Sequence, residues 1–223
     1  KQQTLLQRLF RRQPKENPII EINNLLAQAK RPSDVSVEQI HGVADSYKIN
    51  LHKKYHEQLE MFYRDYLTHC LLDHAIAPDE AHELSHLKFL LALNDSSVDK
   101  IHNEVSQSVY QKTVAEAIED GRLTPDERTL LDTLQRDLKL SDDIARKVFA
   151  QSAQEHLQRY FDDATSDERL SPDEEAEFNA IATSLAANIT YEDKTKSLLE
   201  KYRLYWLIEN GNIPEVEARI NLQ

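Results

Sequence analysis

Apolar residues recur at helical spacing through most of the chain. The clearest stretch runs from Tyr110 to Ile118, where apolar side chains stand at i, i+4, i+7 and i+8, the spacing of one face of an amphipathic α-helix. A second stripe runs from Leu130 to Leu138, and a third begins at Ile144. The pattern therefore predicts a long helix, a shorter helix and another long helix in succession.

The residues between the first two stripes predict a sharp hinge. Gly121 tolerates the positive φ with which helices commonly end. Thr124 is a good N-cap, and Pro125 suits the first helical position. Glu127 is placed to return a hydrogen bond to the amide of the cap. Ser141 predicts the start of the next long helix in the same way.

The same hinge occurs three times. Pro-Asp-Glu begins at residues 78, 125 and 172, a strict 47-residue repeat, and an aspartate stands five positions before each proline. Tandem copies predict an all-α array of helical hairpins, and a degenerate N-terminal half-repeat capped by Ser36 precedes them. We expect about eight helices, with hinges at residues 73–80, 120–127 and 167–174. The inward positions that match across the copies are Leu84, Leu131 and Phe178; Leu87, Leu134 and Ile181; and Leu91, Leu138 and Leu185.

The repeats divide the chain into three regions. We expect residues 18–211 to form a single helical-repeat domain after a basic tail at residues 1–17. Residues 212–223 alternate apolar and polar positions, which is typical of an extended segment. That segment is either the first β-strand of a further domain or a strap across the last helices. Because the chain starts without Met and stops within this pattern, we expect a fragment of a longer protein.

Charge and composition exclude some function classes. Residues 1–56 carry ten Lys or Arg and five Asp or Glu, whereas residues 57–223 carry 17 and 34. An acidic body repels phosphate, so we expect a protein partner and no nucleic acid. No apolar run reaches the ~18 residues of a membrane span. The basic residues 8–12 either form a solvated tail, which we favour, or lie beside an upstream membrane anchor. The lone Cys70 predicts a buried thiol in a reducing setting, the cytoplasm or the cytoplasmic side of a membrane.

The hinge sequence resembles known helical modules. Residues 117–127 resemble the hairpin of TerB-like proteins, the tellurite-resistance family, and residues 201–214 resemble a multi-repeat bacterial branch of that family. Residues 66–118 are similar to the stromal helical repeats of the large inner-envelope subunit of the chloroplast import translocon. These resemblances imply a non-enzymatic interaction or scaffold module of the TerB-like type. They link it to a membrane complex or a stress response, with divalent metal as an associated ligand.

The third hinge contains candidate calcium ligands, and the alternative function is therefore a divalent-metal sensor or buffer. The oxygen-bearing residues with EF-hand-like spacing are Asp163, Thr165, Asp167, Ser171 and Glu174. Glu168 replaces the glycine that such a loop needs. We therefore favour the interpretation that these acids cap helix ends and complement the helix dipole.

Two histidine pairs are candidate zinc ligands. His52 and His56, and likewise His82 and His86, have the i, i+4 spacing that places two imidazoles on one helix face. A fourth ligand is not evident, and solvated surface histidines are the alternative. No other cofactor is expected, and no catalytic motif occurs in the sequence.

The last predicted helix carries candidate interaction residues. Tyr205 and Trp206 belong to an apolar group within residues 191–209. These rings either pack against the preceding repeat, which we favour, or face a protein partner.

Overall fold

The computed structural model describes residues 17–72, 75–186 and 193–211, and within these ranges all regular secondary structure is helical. The α-helices are α1 (Asn17–Gln28), α2 (Val37–Tyr47), α3 (Leu51–Cys70), α4 (Pro78–Leu90), α5 (Asp95–Ala117), α6 (Pro125–Asp137), α7 (Asp142–Ala164), α8 (Pro172–Ser184) and α9 (Asp193–Glu209). A short 3-10 helix (Pro32–Asp34) follows α1. The all-α prediction is confirmed. The predicted tails, residues 1–16 and 212–223, lie outside the described residues, as do Asp73 and His74 of the first hinge.

Short and long helices alternate after α1. Helices α4, α6 and α8 contain 13 residues each, and α5 and α7 contain 23 residues each. Each of these short helices follows a hinge, and α4 and α6 lead through a tight turn into a long helix. The predicted continuation of one long helix into the next copy is confirmed, because α7 is unbroken from Asp142 to Ala164.

The capping box predicted at the middle hinge forms, and the third hinge repeats it. At the middle hinge the Thr124 hydroxyl accepts the Glu127 N–H at 3.3 Å, and the Glu127 carboxylate accepts the Thr124 N–H at 2.8 Å. Ser171 and Glu174 make the same pair of bonds at the third hinge. Ala77 has no side-chain oxygen, so only the bond to its backbone N–H forms at the first hinge. Each short helix therefore starts where its proline and its acids indicated.

A second repeated turn, which the sequence pattern did not reveal, follows each of the short helices α4, α6 and α8. Ala92, Lys139 and Ala186 stand 47 residues apart, and all adopt positive φ, at 44°, 54° and 48°. The N–H groups of Leu93 and Leu140 then bond to the carbonyl oxygens five residues back, both at 3.0 Å. This is a Schellman motif. It occurs here with alanine or lysine where glycine is usual.

The junction between α2 and α3 shows that the N-terminal half-repeat is a structural copy. Lys48 has φ 51°, and the Ile49 N–H bonds to the Ala44 carbonyl at 3.1 Å. Asn50 then caps α3, since its side chain accepts the Lys53 N–H at 2.9 Å. The same left-handed turn thus closes every short helix from α2 to α8.

The predicted inward stripes form the core. All nine inward positions that match across the copies are buried, and the side chain of Cys70 is buried as well. The prediction for Leu130 is wrong, because its side chain is 48 % exposed. Leu131 and Leu134 occupy the buried face of α6, and Leu130 lies towards the edge of that face, because a helix rotates by about 100° per residue between Leu130 and Leu131.

The chain divides into two compact units, and the boundary lies between Val109 and Tyr110, inside α5. The expectation of one continuous domain over residues 18–211 stays a prediction. Among the described helices, none combines the length and the apolar character that crossing a membrane requires.

Candidate functional site: a groove in the second unit

The middle hinge packs directly on α8. An Asp120 carboxylate oxygen accepts the Arg122 N–H at 2.9 Å, and Gly121 between them has φ +75°. A Cβ at Gly121 would lie 2.7 Å from Cγ1 of Ile181, closer than two carbon atoms can approach. The hinge therefore reaches α8 only because residue 121 lacks a side chain.

An open groove of about 560 Å³ lies beside this hinge. Its walls come from residues 112–120 of α5 and the hinge, from residues 156–163 of α7, and from α8. A second cavity of about 430 Å³ adjoins the groove, and the two share Asp120, Glu177 and Ile181. Both belong to the second unit, so the middle hinge is flanked by one continuous concave surface.

The groove carries excess negative charge. Five of its eleven lining residues are acidic and two are Lys or Arg. The acidic residues are Glu116, Glu119, Asp120, Asp163 and Glu177. Lys112 lies 3.8 Å from Glu116, a long and exposed ion pair that water screens. Tyr160 and Ile181 add apolar surface between the charges.

Two titratable side chains in the groove have perturbed pKa values. Burial lowers the pKa of His156, the positive charge of Arg159 lowers it further, and Asp120 acts in the opposite direction. Burial also raises the pKa of Tyr160 to about 12, assisted by the hydrogen bond of its hydroxyl to Glu177 at 3.1 Å. At neutral pH both rings are therefore uncharged, and the fixed charges of the groove are its acids, Lys112 and Arg159.

Comparison with known proteins assigns the chain to a family. The family model described as Tic110, chloroplast envelope transporter, matches residues 53–177, more than half of the chain and every groove residue except Ile181. The chain belongs to the Tic110 family. No curated protein and no solved structure matches it.

The match to the Tic110 family supports one of the two resemblances seen in the sequence. It extends the similarity to the chloroplast translocon repeats from residues 66–118 to residues 53–177. No comparison supports the TerB-like resemblance. Tellurite resistance and a stress response are therefore not carried further.

The candidate calcium ligands of the third hinge stabilise its turn. An Asp167 carboxylate oxygen accepts the Arg169 N–H at 2.9 Å, as Asp120 does one repeat earlier. Glu174 accepts the N–H and the hydroxyl of Ser171, while Asp163 lines the groove. In the part of the chain that the structure describes, no three or more His, Cys, Asp or Glu side chains are grouped to hold a metal ion. Calcium binding at the third hinge therefore stays a prediction.

The candidate zinc ligands have other neighbours. His56 Nε2 lies 3.1 Å from Glu60, and His86 Nε2 lies 3.1 Å from the Val35 carbonyl oxygen. The other member of each pair is exposed. Among the described residues, these four histidines form no three-ligand cluster with an acid or with Cys70, and zinc binding also stays a prediction.

The candidate interaction residues on α9 lie near the third hinge. The Arg169 guanidinium makes two hydrogen bonds to the Glu209 carboxylate, one of them from Nε at 2.6 Å. Its central carbon lies 5.3 Å from the centre of the Tyr205 ring, which is 36 % exposed. Trp206 is half-buried. Tyr205 is therefore engaged within the third repeat, and an intermolecular role for either ring stays a prediction.

Apart from Asp163, which the sequence analysis names as a candidate calcium ligand, no groove residue was predicted to belong to a site. Lys112, His156 and Arg159 stand on amphipathic helices, where charged residues normally face water. No spacing indicates that α5, α7 and α8 converge. The only usable signal is Gly121, because a hinge glycine permits another helix to approach the backbone.

Proposed function

We propose that this chain is a non-enzymatic protein-interaction module of a chloroplast envelope transporter, and that the groove of the second unit is its docking surface. The observation that carries the proposal is the acidic groove of about 560 Å³, which lies almost entirely within the segment matched to the Tic110 family. The proposed location follows from the description of that family.

The construction of the groove supports binding. Residues 112–117 and 156–163 belong to two 23-residue helices, and Glu177 belongs to α8. Side chains on helices hold their positions better than side chains on loops. A partner segment therefore meets a preformed surface and loses less conformational entropy on binding than it would with a flexible site.

The arrangement of charges supports binding rather than catalysis. Acid–base chemistry needs titratable groups that converge on one reacting atom. The groove acids are instead spread over α5, the hinge, α7 and α8. Charges distributed along a concave surface orient a protein partner and increase its rate of association.

Site-specific photo-crosslinking tests the location of the docking surface. Ala115 lines the groove, and Ala150 is exposed on α7 but does not line it. A photoreactive amino acid is placed at either position, and the purified chain is incubated with solubilised chloroplast envelope membranes. We expect a discrete cross-linked protein, identified by mass spectrometry, from position 115 alone. Equal products from both positions would contradict the proposal.

Charge reversal tests the role of the acids. Glu119→Lys with Glu177→Lys changes two groove acids, and Asp132→Lys with Asp137→Lys changes two exposed acids of α6 outside the groove. Both double variants alter the net charge equally. We expect the groove variant to lose the cross-link and the α6 variant to keep it. Loss in both would indicate a general charge effect and reject the groove as the site.

A further inference from the structure

In the first unit, a loop is fastened to α4 through a buried carboxylate. Glu83 is only 6 % exposed, and its carboxylate accepts two hydrogen bonds from Ser33, from the N–H and from the hydroxyl, both at 2.8 Å. One turn further along α4, His86 Nε2 lies 3.1 Å from the Val35 carbonyl oxygen. We name these contacts of Ser33 and Val35 with α4 the α4 clasp.

Covalent modification of the Ser33 hydroxyl would disrupt its contact with Glu83. It donates its proton to a buried carboxylate, so the contact depends on that proton. A phosphoryl group on this oxygen removes the donor and places about two negative charges beside the Glu83 carboxylate. The modification therefore converts an attractive contact into a repulsive one at a site with reduced access to water, where like charges repel strongly.

The surroundings of Ser33 suit a modifying enzyme. Ser33 is an exposed residue in a three-residue 3-10 helix between α1 and α2. Lys30 and Arg31 precede it in the sequence, and both are exposed. Kinases choose substrates partly by charge near the acceptor, and two cations before the hydroxyl favour an enzyme with an acidic substrate groove.

We propose that Ser33 is a phosphorylation site and that its modification opens the α4 clasp. A protein kinase that prefers basic flanking residues transfers the γ-phosphoryl group of a nucleoside triphosphate. The bond from the Ser33 oxygen to phosphorus forms, the bond from phosphorus to the β,γ-bridging oxygen breaks, and the nucleoside diphosphate leaves. The hydroxyl proton passes to the catalytic carboxylate of the kinase. The released loop then exposes Val35, which is otherwise buried.

The first experiment asks whether the site is modified in the folded protein. The intact chain and a peptide of residues 28–38 are incubated with a kinase of that class, magnesium and ATP, and phosphate is located by tandem mass spectrometry. We expect modification of Ser33 in both, lost in Ser33→Ala and kept in Ser85→Ala, which alters an exposed serine of α4. A modified peptide with an unmodified chain would overturn the proposal, as would an unmodified peptide.

The second experiment asks whether charge at residue 33 opens the clasp. Ser33→Ala removes one hydrogen bond, and Ser33→Asp adds a negative charge near Glu83. We expect the amides of residues 33–35 to exchange at least roughly tenfold faster in Ser33→Asp than in Ser33→Ala. In a Glu83→Gln background the repelling charge is absent, so the two variants should exchange alike. Equal exchange already in the presence of Glu83 would overturn the proposal. The clasp lies in the first unit, so this result is independent of the groove.

Discussion

At the scale of single residues, backbone conformation is better preserved across the repeats than residue identity. Glu168 in the third hinge has φ 61°, close to the 75° of Gly121 in the middle hinge. A left-handed conformation costs an ordinary residue about 1 kcal/mol or more. The turn persists because Asp167 and Asp120 each accept the N–H of the residue two positions on. The missing glycine therefore leaves the hinge intact.

Replacing Gly121 by alanine should destabilise the second unit. The new Cβ would lie 2.7 Å from the Ile181 side chain, and the backbone is left-handed. We expect a loss of about 2 kcal/mol in the free energy of unfolding, measured by chemical denaturation. Gly42→Ala is the control, since a Cβ there meets nothing within 4 Å. It lies inside α2 and should gain about 0.5–1 kcal/mol. Equal effects of the two changes would contradict the packing argument.

Replacing Lys139 by glycine should stabilise the protein. Lys139 is exposed, has φ 54° and follows α6 as the left-handed residue of a Schellman motif. Glycine adopts this conformation without a steric penalty, so we expect a gain of about 0.5–1 kcal/mol by denaturant unfolding. Lys147→Gly, at an exposed position inside α7, should instead cost about 1 kcal/mol. A loss of stability in Lys139→Gly would show that the lysine side chain matters more than its backbone.

At the scale of elements, one arginine joins the third hinge to α9. Arg169 bonds to the Glu209 carboxylate, and its guanidinium also donates to the Glu168 carbonyl oxygen at 3.0 Å. Hydrogen bonds to Glu209 lower the pKa of that carboxyl and raise the pKa of Arg169. Arg122 stands 47 residues earlier in the middle hinge and is exposed. The repeat thus conserves the arginine position while its environment differs.

Changing Arg169 to lysine should loosen α9. An ammonium group cannot make the two-pronged contact with Glu209 or stack on Tyr205 as a planar guanidinium does. We expect faster amide hydrogen exchange in residues 200–209, measured by mass spectrometry. Arg122→Lys is the matched control and should leave exchange in α9 unchanged. Unchanged exchange in Arg169→Lys would show that other contacts hold α9.

Three helices and a hinge form the groove together. The pKa of His156 should therefore respond to the charges of the groove. Burial and Arg159 disfavour the protonated ring, so NMR should show a titration midpoint below the unperturbed value of about 6.5. Because the folded state binds this proton less readily than the unfolded state, this group contributes a loss of stability as the pH falls below about 6.5. Arg159→Gln should raise the midpoint and Asp120→Asn should lower it. Shifts in the same direction would contradict the geometry.

At the scale of the whole molecule, acidic residues outnumber basic ones. The chain has a formal net charge of −12 at pH 7, and the described acids form no group of three that suits an ion. Instead they cap turns, pair with bases or line the groove. Net charge of this size favours solubility and the steering of oppositely charged partners.

Addition of divalent metal should leave the thermal midpoint of the chain unchanged relative to EDTA. A genuine site filled at a hundredfold over its Kd adds about 2.7 kcal/mol, which raises the midpoint by roughly 5–10 °C in a chain of this size. Calcium, zinc and manganese are each compared with EDTA by calorimetry. A rise with one ion that disappears in Asp167→Ala, or in His52→Ala with His56→Ala, would establish the metal hypothesis instead.

The sequence by itself determined the elements and their order. Helical periodicity and the capping box at Thr124 depend on neighbours within a few residues, so they can be recognised without a fold. The 47-residue spacing can be recognised because the same local pattern recurs along the chain. The buried stripes, including Leu87 and Leu134, are equally local because one face of each helix must leave water. The prediction that Leu130 faces the core was wrong, because the sequence does not show which of two adjacent apolar residues is buried.

The tertiary structure alone decided which surfaces meet. The groove depends on the convergence of α5, α7 and α8, and the α4 clasp joins Ser33 to a glutamate fifty residues away in sequence. The left-handed turns at Ala92 and Lys139 could not be recognised in the sequence, because neither residue is glycine. Contacts between distant segments depend on how their side chains pack in the folded protein. The spacing of apolar residues along the chain does not determine that packing.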